Sequence, residues 1–346
     1  MTESENKSIS ADEVALYDRQ IRLWGMEAQT RLRNSKVLVI NVGALANEII
    51  KNIVLAGIGS LTILDANTVT ESDLGAQFFL EESDVGKNRA EAALPRIKEL
   101  NPRVDVAVNT SKVRDNSKEW ISEFDVVVAT ELQFPDLEYV NSATRSQNKA
   151  LYATGLAGLY GYAFADLVNH SYTIEQIRSN IQVKIGVENP RRKIESISSR
   201  KDASSGIIDT ILKTETYKSI DNILQSESCS SNSSRPLTAR RALKVSPVLP
   251  ALLAVWALQR DGLDLSGVQA KAEDYARQLG LPVGIVNKDI VSRFVGNLHV
   301  EVSPVAAVLG GIVGQEVLNY ISKKQNPLQN LLIFDGDVIS GPIYCL

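Results

Sequence analysis

Two arginines near the start of the chain have the type and spacing to serve a phosphate. The stretch Tyr17-Asp-Arg-Gln-Ile-Arg-Leu-Trp-Gly25 puts Arg19 and Arg22 three apart, hence on one side of a helix. A guanidinium held by buried neighbours offers a phosphate a planar fork of donors and stays charged. Leu16, Leu23 and Trp24 are expected to anchor the segment by apolar burial. Spacing alone equally allows two surface arginines with solvated or carboxylate partners.

A second group sits where a nucleotide fold binds its ligand. There the turn after the first strand reads Gly-x-Gly-x-x-Gly. Its glycines let backbone reach phosphate oxygens at a helix N-terminus, and an acid after the second strand takes the ribose hydroxyls. Here the turn reads Asn41-Val-Gly-Ala-Leu-Ala46, so only Gly43 is kept, and Asp65 follows 24 residues after Asn41. A side chain at Asn41 narrows the turn, and the Cβ of Ala46 opposes close helix–strand packing. Both a plain α/β turn and a degenerate nucleotide pocket fit these residues.

The elements that must position these groups are visible as alternating strands and helices. Residues 11–33 read as helical, with Asp12 and Glu13 suited to a first turn. The run Lys36–Val42 is nearly all apolar, as in a strand buried on both faces. A helix over 47–56 follows, stopped by Gly57 and Gly59, then strands at 60–65, 104–108, 124–129 and 151–154 with helices at 89–100 and 137–148. Such alternation predicts a Rossmann-like α/β fold, a mostly parallel sheet flanked by helices. Three parts are expected: 1–187, a polar insertion over 188–240, and 241–346. The insertion begins with Arg191-Arg192-Lys193, a solvated linker or a short nuclear import signal, and has six serines among residues 226–234. That composition suits a weakly ordered segment. Helices return at 247–260 and 304–321, and residues 330–335 and 338–344 read as closing strands. Small residues Ala306, Ala307, Gly310, Gly311 and Gly314 suit close helix packing, inside the core or at a subunit interface.

Composition limits the chemistry. With 37 basic and 41 acidic side chains the net charge is −4, which argues against a nucleic-acid binder relying on net positive charge. The two histidines, His170 and His299, argue against chemistry that needs several. The two cysteines, Cys229 and Cys345, cannot build a zinc site or a disulfide framework, and neither has a nucleophile's setting. No metal site is expected. The start lacks a basic segment followed by an apolar run, and the apolar stretch 304–320 is short for a membrane span, so cytosol or nucleus is the expected setting.

Taken together, YDRQIRLWG, LTILDANTVTESDLGAQFF, DVGKNRAEAA, LNPRVDV and PVAAVLGGIVGQEVLNYI with LLIFDG resemble the ThiF/MoeB-like adenylation fold of ubiquitin-like-modifier activating enzymes. Within that family they resemble the smaller, non-thioester subunits acting on SUMO. The resemblance implies a heterodimer in which the larger, catalytic subunit holds ATP and Mg2+ and supplies the thioester cysteine. It implies SUMO as a partner, the SUMO-conjugating enzyme as an indirect one, and no nucleic acid or membrane. It implies a nuclear, also cytoplasmic, location. The family's active pattern, Ser-Asn-Leu-Asn-Arg-Gln, stands here as Ser72-Asp73-Leu74-Gly75-Ala76-Gln77. The family's lysine position is Arg89, beside Lys87, and its aspartate after the fourth strand falls near Glu131. These departures match the family's inactive half. The family's Arg-Gln-Ile arginine, which crosses the dimer to the partner's nucleotide, is Arg19 here; Arg22 is left a structural role. The competing readings are the equivalent subunit for another modifier, an NAD-type Rossmann oxidoreductase, and a pure scaffold. Length opposes the cullin-modifier subunit, which carries a large helical insertion. Asn41, Ala46 and the lack of a Tyr/Lys or His-based hydride site oppose the oxidoreductase.

Overall fold

The computed structural model describes residues 9–179, 183–202, 206–227, 238–259, 263–282 and 284–346. Its helices are α1 (Ala11–Leu16), α2 (Asp18–Trp24), α3 (Met26–Arg33), α4 (Ala44–Leu55), α5 (Arg89–Leu100), α6 (Lys118–Ile121), α7 (Phe134–Ser146), α8 (Ile220–Ile223), α9 (Ala239–Ala242), α10 (Val248–Leu258), α11 (Leu265–Gln278), α12 (Lys288–Gly296) and α13 (Ser303–Ser322). Eight of its strands form one sheet: β1 (Lys36–Ile40), β2 (Ser60–Leu64), β3 (Asp105–Asn109), β4 (Val126–Thr130), β5 (Ala150–Ala157), β6 (Tyr160–Asp166), β11 (Leu331–Asp335) and β12 (Ile343–Tyr344).

The sheet order is β12-β11-β6-β5-β4-β1-β2-β3. The pairs from β3 through β5 are parallel; β6, β11 and β12 add antiparallel pairs at the other edge. The apolar run of β1 is explained by its place. Val37 and Val39 face a core built with α3, α4, α5 and α13, while Leu38 and Ile40 face one built with α7, α10, α11 and α12. Strand order reverses beside β1, between β2 and β4, which puts a crevice beyond their carboxyl ends.

The expected helix over 11–33 is three helices, broken at Tyr17 and at Gly25, whose φ is +87°. The expected anchors also change. Leu16 and Leu23 are 55% and 77% exposed, and α2 buries no residue. Tyr17 holds the segment instead. It is 5% exposed, accepts a 2.8 Å hydrogen bond from Asn101, and its hydroxyl lies where a Cβ on Gly57 would stand. Gly57 also has φ +80°, so geometry and space both call for glycine. Trp24 is half-buried and donates to Gln29 at 3.1 Å.

Within the segment expected to be a weakly ordered insertion, strands dominate up to residue 216. β7 (Asn169–Ile177), β8 (Gly186–Asn189), β9 (Arg192–Asp202) and β10 (Gly206–Thr216) form a second, antiparallel sheet in the order β7-β10-β9-β8. The basic triplet is not a solvated linker. Arg192 opens β9 and is paired with the fully buried Glu215. Most of the serine-rich run, including Cys229, lies outside the described residues.

The small residues of α13 divide between two faces. A Cβ on Gly310 would collide with Glu48 of α4, and one on Gly314 would come within 3.0 Å of Asn52. Ala306 is 1% exposed on the same side. Ala307 is exposed, and a Cβ on Gly311 would meet nothing within 4 Å. By length and composition α13 could cross a membrane; here it packs on α4 and the sheet as a core helix.

Candidate functional site

A cavity of about 880 Å³ opens where strand order reverses. Asn41 and Gly43 come from the β1–α4 turn, Asp73, Gly75 and Ala76 from the segment after β2, and Arg89 from the start of α5. Glu131 follows β4, and His299 with Glu301 precedes α13. The structure thus brings together Asn41, Gly43, Gly75, Ala76, Arg89 and Glu131, with Asp65 directly behind Arg89.

The turn itself is well formed. Asn41 adopts φ +65°, a conformation that asparagine tolerates better than most side chains, and its amide donates to Thr130 at 2.9 Å. Asparagine therefore fits this turn rather than narrowing it. Ala46 is fully buried, and its methyl group is accommodated in the core beneath.

Each acid at the cavity is already engaged. Asp65 accepts from the Val42 N–H at 2.7 Å and from the backbone and side-chain amides of Asn67, both at 2.8 Å. Arg89 adds a hydrogen bond at 3.0 Å from Nε and an ion-pair contact at 2.9 Å from Nη2. A carboxylate has about four acceptor sites, so none remains for ribose hydroxyls. Asp73 accepts from Gln77 at 2.6 Å and from the backbone N–H of Thr70 at 2.7 Å. Glu131, at φ +54°, accepts from the Leu156 N–H at 2.5 Å, and its other oxygen meets His299 Nδ1 at 2.8 Å. That hydrogen bond raises the His299 pKa, outweighing the partial desolvation of its half-exposed ring. Glu301 accepts from the Ala44 N–H at 2.7 Å, at the first residue of α4. Burial pushes its pKa to about 7, against the pull of that hydrogen bond and with repulsion from Glu131.

These residues do not fit a nucleoside triphosphate with magnesium. The helix N-terminus that would receive phosphate holds a carboxylate, and Asp65 is saturated. Gly75 and Ala76 stand where the family pattern has side-chain donors and bring none. Among the described residues no group of three His, Cys, Asp or Glu side chains is placed to hold a metal ion. Lys87 pairs with Asp84 at 2.9 Å and does not line the cavity.

The two arginines of the N-terminal motif have different surroundings. Arg22 pairs with Asp18 at 2.9 Å, one helical turn back. Arg19 is exposed on α2 and makes no ion pair among the described residues. It does not line this chain's own cavity. Cys345 is a free, half-buried thiol whose pKa burial raises.

Sequence reasoning did not single out Glu301 or assign His299 a role. Glu301 acts across 257 positions on Ala44, and no local motif announces such a contact.

The comparisons with known proteins agree with this architecture. The ThiF family model matches residues 17–340. The chain is similar to DNA damage tolerance protein RHC31 of Saccharomyces cerevisiae, 37% identical over 344 residues, covering 98% of each protein. It is similar to DNA damage tolerance protein rad31 of Schizosaccharomyces pombe, 36% identical with 99% of each covered. It is also similar to SUMO-activating enzyme subunit 1 of Homo sapiens, 33% identical, with 99% of this chain and 98% of that protein covered. Among solved structures, the crystal structure of SeMet PaaA superposes with a TM-score of 0.54 at 14% identity, covering 100% of this chain and 78% of that one. At that identity it shows the fold alone. The Rossmann-like sheet, the end-to-end match to relatives and the extent of the family match lead to one assignment: the chain belongs to the ThiF family.

Proposed function

We propose that this chain is the regulatory, catalytically incomplete subunit of a heterodimeric SUMO-activating enzyme. The names of its full-length relatives support the role in SUMO activation. In this reading ATP and Mg2+ bind in the larger subunit. The C-terminal glycine carboxylate of SUMO attacks the α-phosphate there, giving an acyl-adenylate and pyrophosphate, and a cysteine of that subunit then takes the acyl group. The difficulty of the step is that two anions must meet, so cationic groups must balance the charge that spreads over the phosphates. Arg19 supplies one such charge in trans. Nuclear residence, with a cytoplasmic share, belongs to the same reading.

The observation that carries the proposal is the contrast between Arg19 and Arg22. On one short helix, Arg22 is held by Asp18, while Arg19 is exposed and has no ion pair among the described residues. An exposed arginine without an ion pair among the described residues, on a helix that buries none of its residues and directly follows the buried Tyr17, is available to a partner. The test is ATP–pyrophosphate exchange by the assembled heterodimer with SUMO. Arg19→Ala should slow exchange by roughly 10²–10³-fold with the heterodimer intact, the loss typical of removing one transition-state donor. Arg22→Ala should leave the rate near wild type. Normal exchange in Arg19→Ala would leave this chain as a scaffold.

A further inference from the structure

The N-terminus of α4 opens into this cavity, where its backbone N–H groups could bind a phosphate. The first N–H groups of a helix lack intrahelical acceptors and point outward, and the helix dipole favours an anion there. Gly43, the N-cap, has no side chain to cap them. Instead the loop before α13 delivers the Glu301 carboxylate to the Ala44 N–H.

The glycine itself reports the same fit. Gly43 has φ −115° and ψ −172°, extended backbone that any residue adopts. A Cβ there would run into Glu301 Oε1, so the carboxylate tip would have to move aside to admit one. In a nucleotide fold this glycine lets phosphate approach the backbone. Here the anion that approaches comes from the same chain.

We propose that Glu301 closes this half's phosphate seat to nucleotides, its carboxylate being a built-in occupant of the α4 N-terminus, and so confines the triphosphate to the partner subunit. The second clause rests on the reading above; the closure does not. The charges facing Glu301 support it. Glu131 and Asp73 repel an incoming polyanion, and the nearby cation, Arg89, is committed to Asp65 and Asp73. His299 is committed to Glu131. Glu301 has a backbone donor but no cationic partner of its own among the described residues. Its charge therefore adds to the negative field where phosphates would need a positive one.

The test is equilibrium dialysis of the purified full chain against labelled tripolyphosphate and, in parallel, ATP. Tripolyphosphate needs only the phosphate seat, so the saturated Asp65 does not bear on it. The wild type should show no saturable binding of either. Glu301→Ala should bind tripolyphosphate saturably, at least about tenfold more tightly than the weakest binding the assay detects, since seat and charge are both released. Glu301→Gln keeps an oxygen for the Ala44 N–H and loses the charge, so it should gain less. Thermal melting establishes that each variant folds, and if Glu301→Ala does not, the gain in Glu301→Gln decides. Saturable binding of ATP by the wild type, or variants that stay at the wild-type level, would overturn the proposal. Failure of the Arg19 reading appears in a different assay, exchange by the heterodimer, so the two ideas fall separately.

Discussion

The cavity beside β1 and the helix pair α1–α2 handle charge in opposite ways. In the cavity, Asp65, Asp73, Glu131 and Glu301 each find a donor within the chain, and Arg89 and His299 are both committed. On the N-terminal helices, Arg19 has no ion pair among the described residues, and Leu16, Leu23 and Met26 are exposed around it. A site that acts on a ligand keeps groups unsatisfied until the ligand arrives, because preorganised but unpaired dipoles and charges bind it. A site whose groups satisfy one another has become structure. By that criterion the region resembling a nucleotide site reads as architecture, and the exposed helix is the region to which the proposed function gives a role.

The largest effect should come from breaking the closed region. Asp65 is fully buried and depends on Arg89 for its charge partner. Arg89→Ala leaves that carboxylate uncompensated, which costs about 3–5 kcal/mol of stability. Urea denaturation measures it. A loss below about 1 kcal/mol would mean that water reaches Asp65 and that the cavity is less closed than its hydrogen bonds indicate. Next comes Arg19→Ala, with its 10²–10³-fold slower exchange and unchanged melting. The pair of variants sharpens the contrast: one should damage stability, the other only rate. Should Arg89→Ala instead slow exchange in a heterodimer that remains folded, the division between the two regions would be wrong.

A smaller effect tests how the open region is held. Tyr17→Phe removes the acceptor of the buried Asn101 amide, whose other hydrogen bond goes to the Val54 carbonyl at 2.9 Å. Leaving a buried polar group without one partner costs about 1–3 kcal/mol. Because Tyr17 lies directly before α2, the variant should also slow exchange less than Arg19→Ala does, with SUMO affinity unchanged. A stability loss with no effect on rate would show that Arg19 does not need this anchor.

What the sequence made legible follows from the range of each signal. The β1 run, α4, and the alternation through β5 were readable because buried parallel strands and their helices leave continuous or periodic apolar patterns. The degenerate turn was readable because its spacing is local. The second sheet was not, since β9 is mostly polar and exposed along its length, and its strands are specified by pairing with β10 rather than by burial. The break at Gly25 was marked by the glycine itself, a poor helix former, but the break at Tyr17 was hidden among residues that suit a helix. Glu301 was least legible. Its meaning depends on its contact with Ala44, 257 positions back along the chain, and a glutamate before a helix carries no mark of that.

The smallest effect belongs to Glu301 itself. Its carboxyl is raised from an ordinary value of 4.5 to about 7, chiefly by burial. Between those values the folded chain keeps a proton that the unfolded chain gives up. The protonated group's contribution is therefore fully present below pH 4.5 and lost as pH rises through about 7. Glu301→Gln does not titrate, and other groups largely cancel between the two proteins. The stability of wild type relative to Glu301→Gln should thus fall from pH 5 to pH 8, by about 1–2 kcal/mol once partial solvent access is allowed for. Urea titrations at four pH values read this difference directly. A flat difference would mean that the carboxylate is stabilised by the α4 dipole as fully as in water. The occupant would then be ionised at no cost, and charge alone would suffice to keep phosphates out. A falling difference means that the chain holds a strained anion at the helix end. The seat would then be closed chiefly by the carboxyl's presence there, and it should remain closed even below pH 6, where that carboxyl is largely neutral.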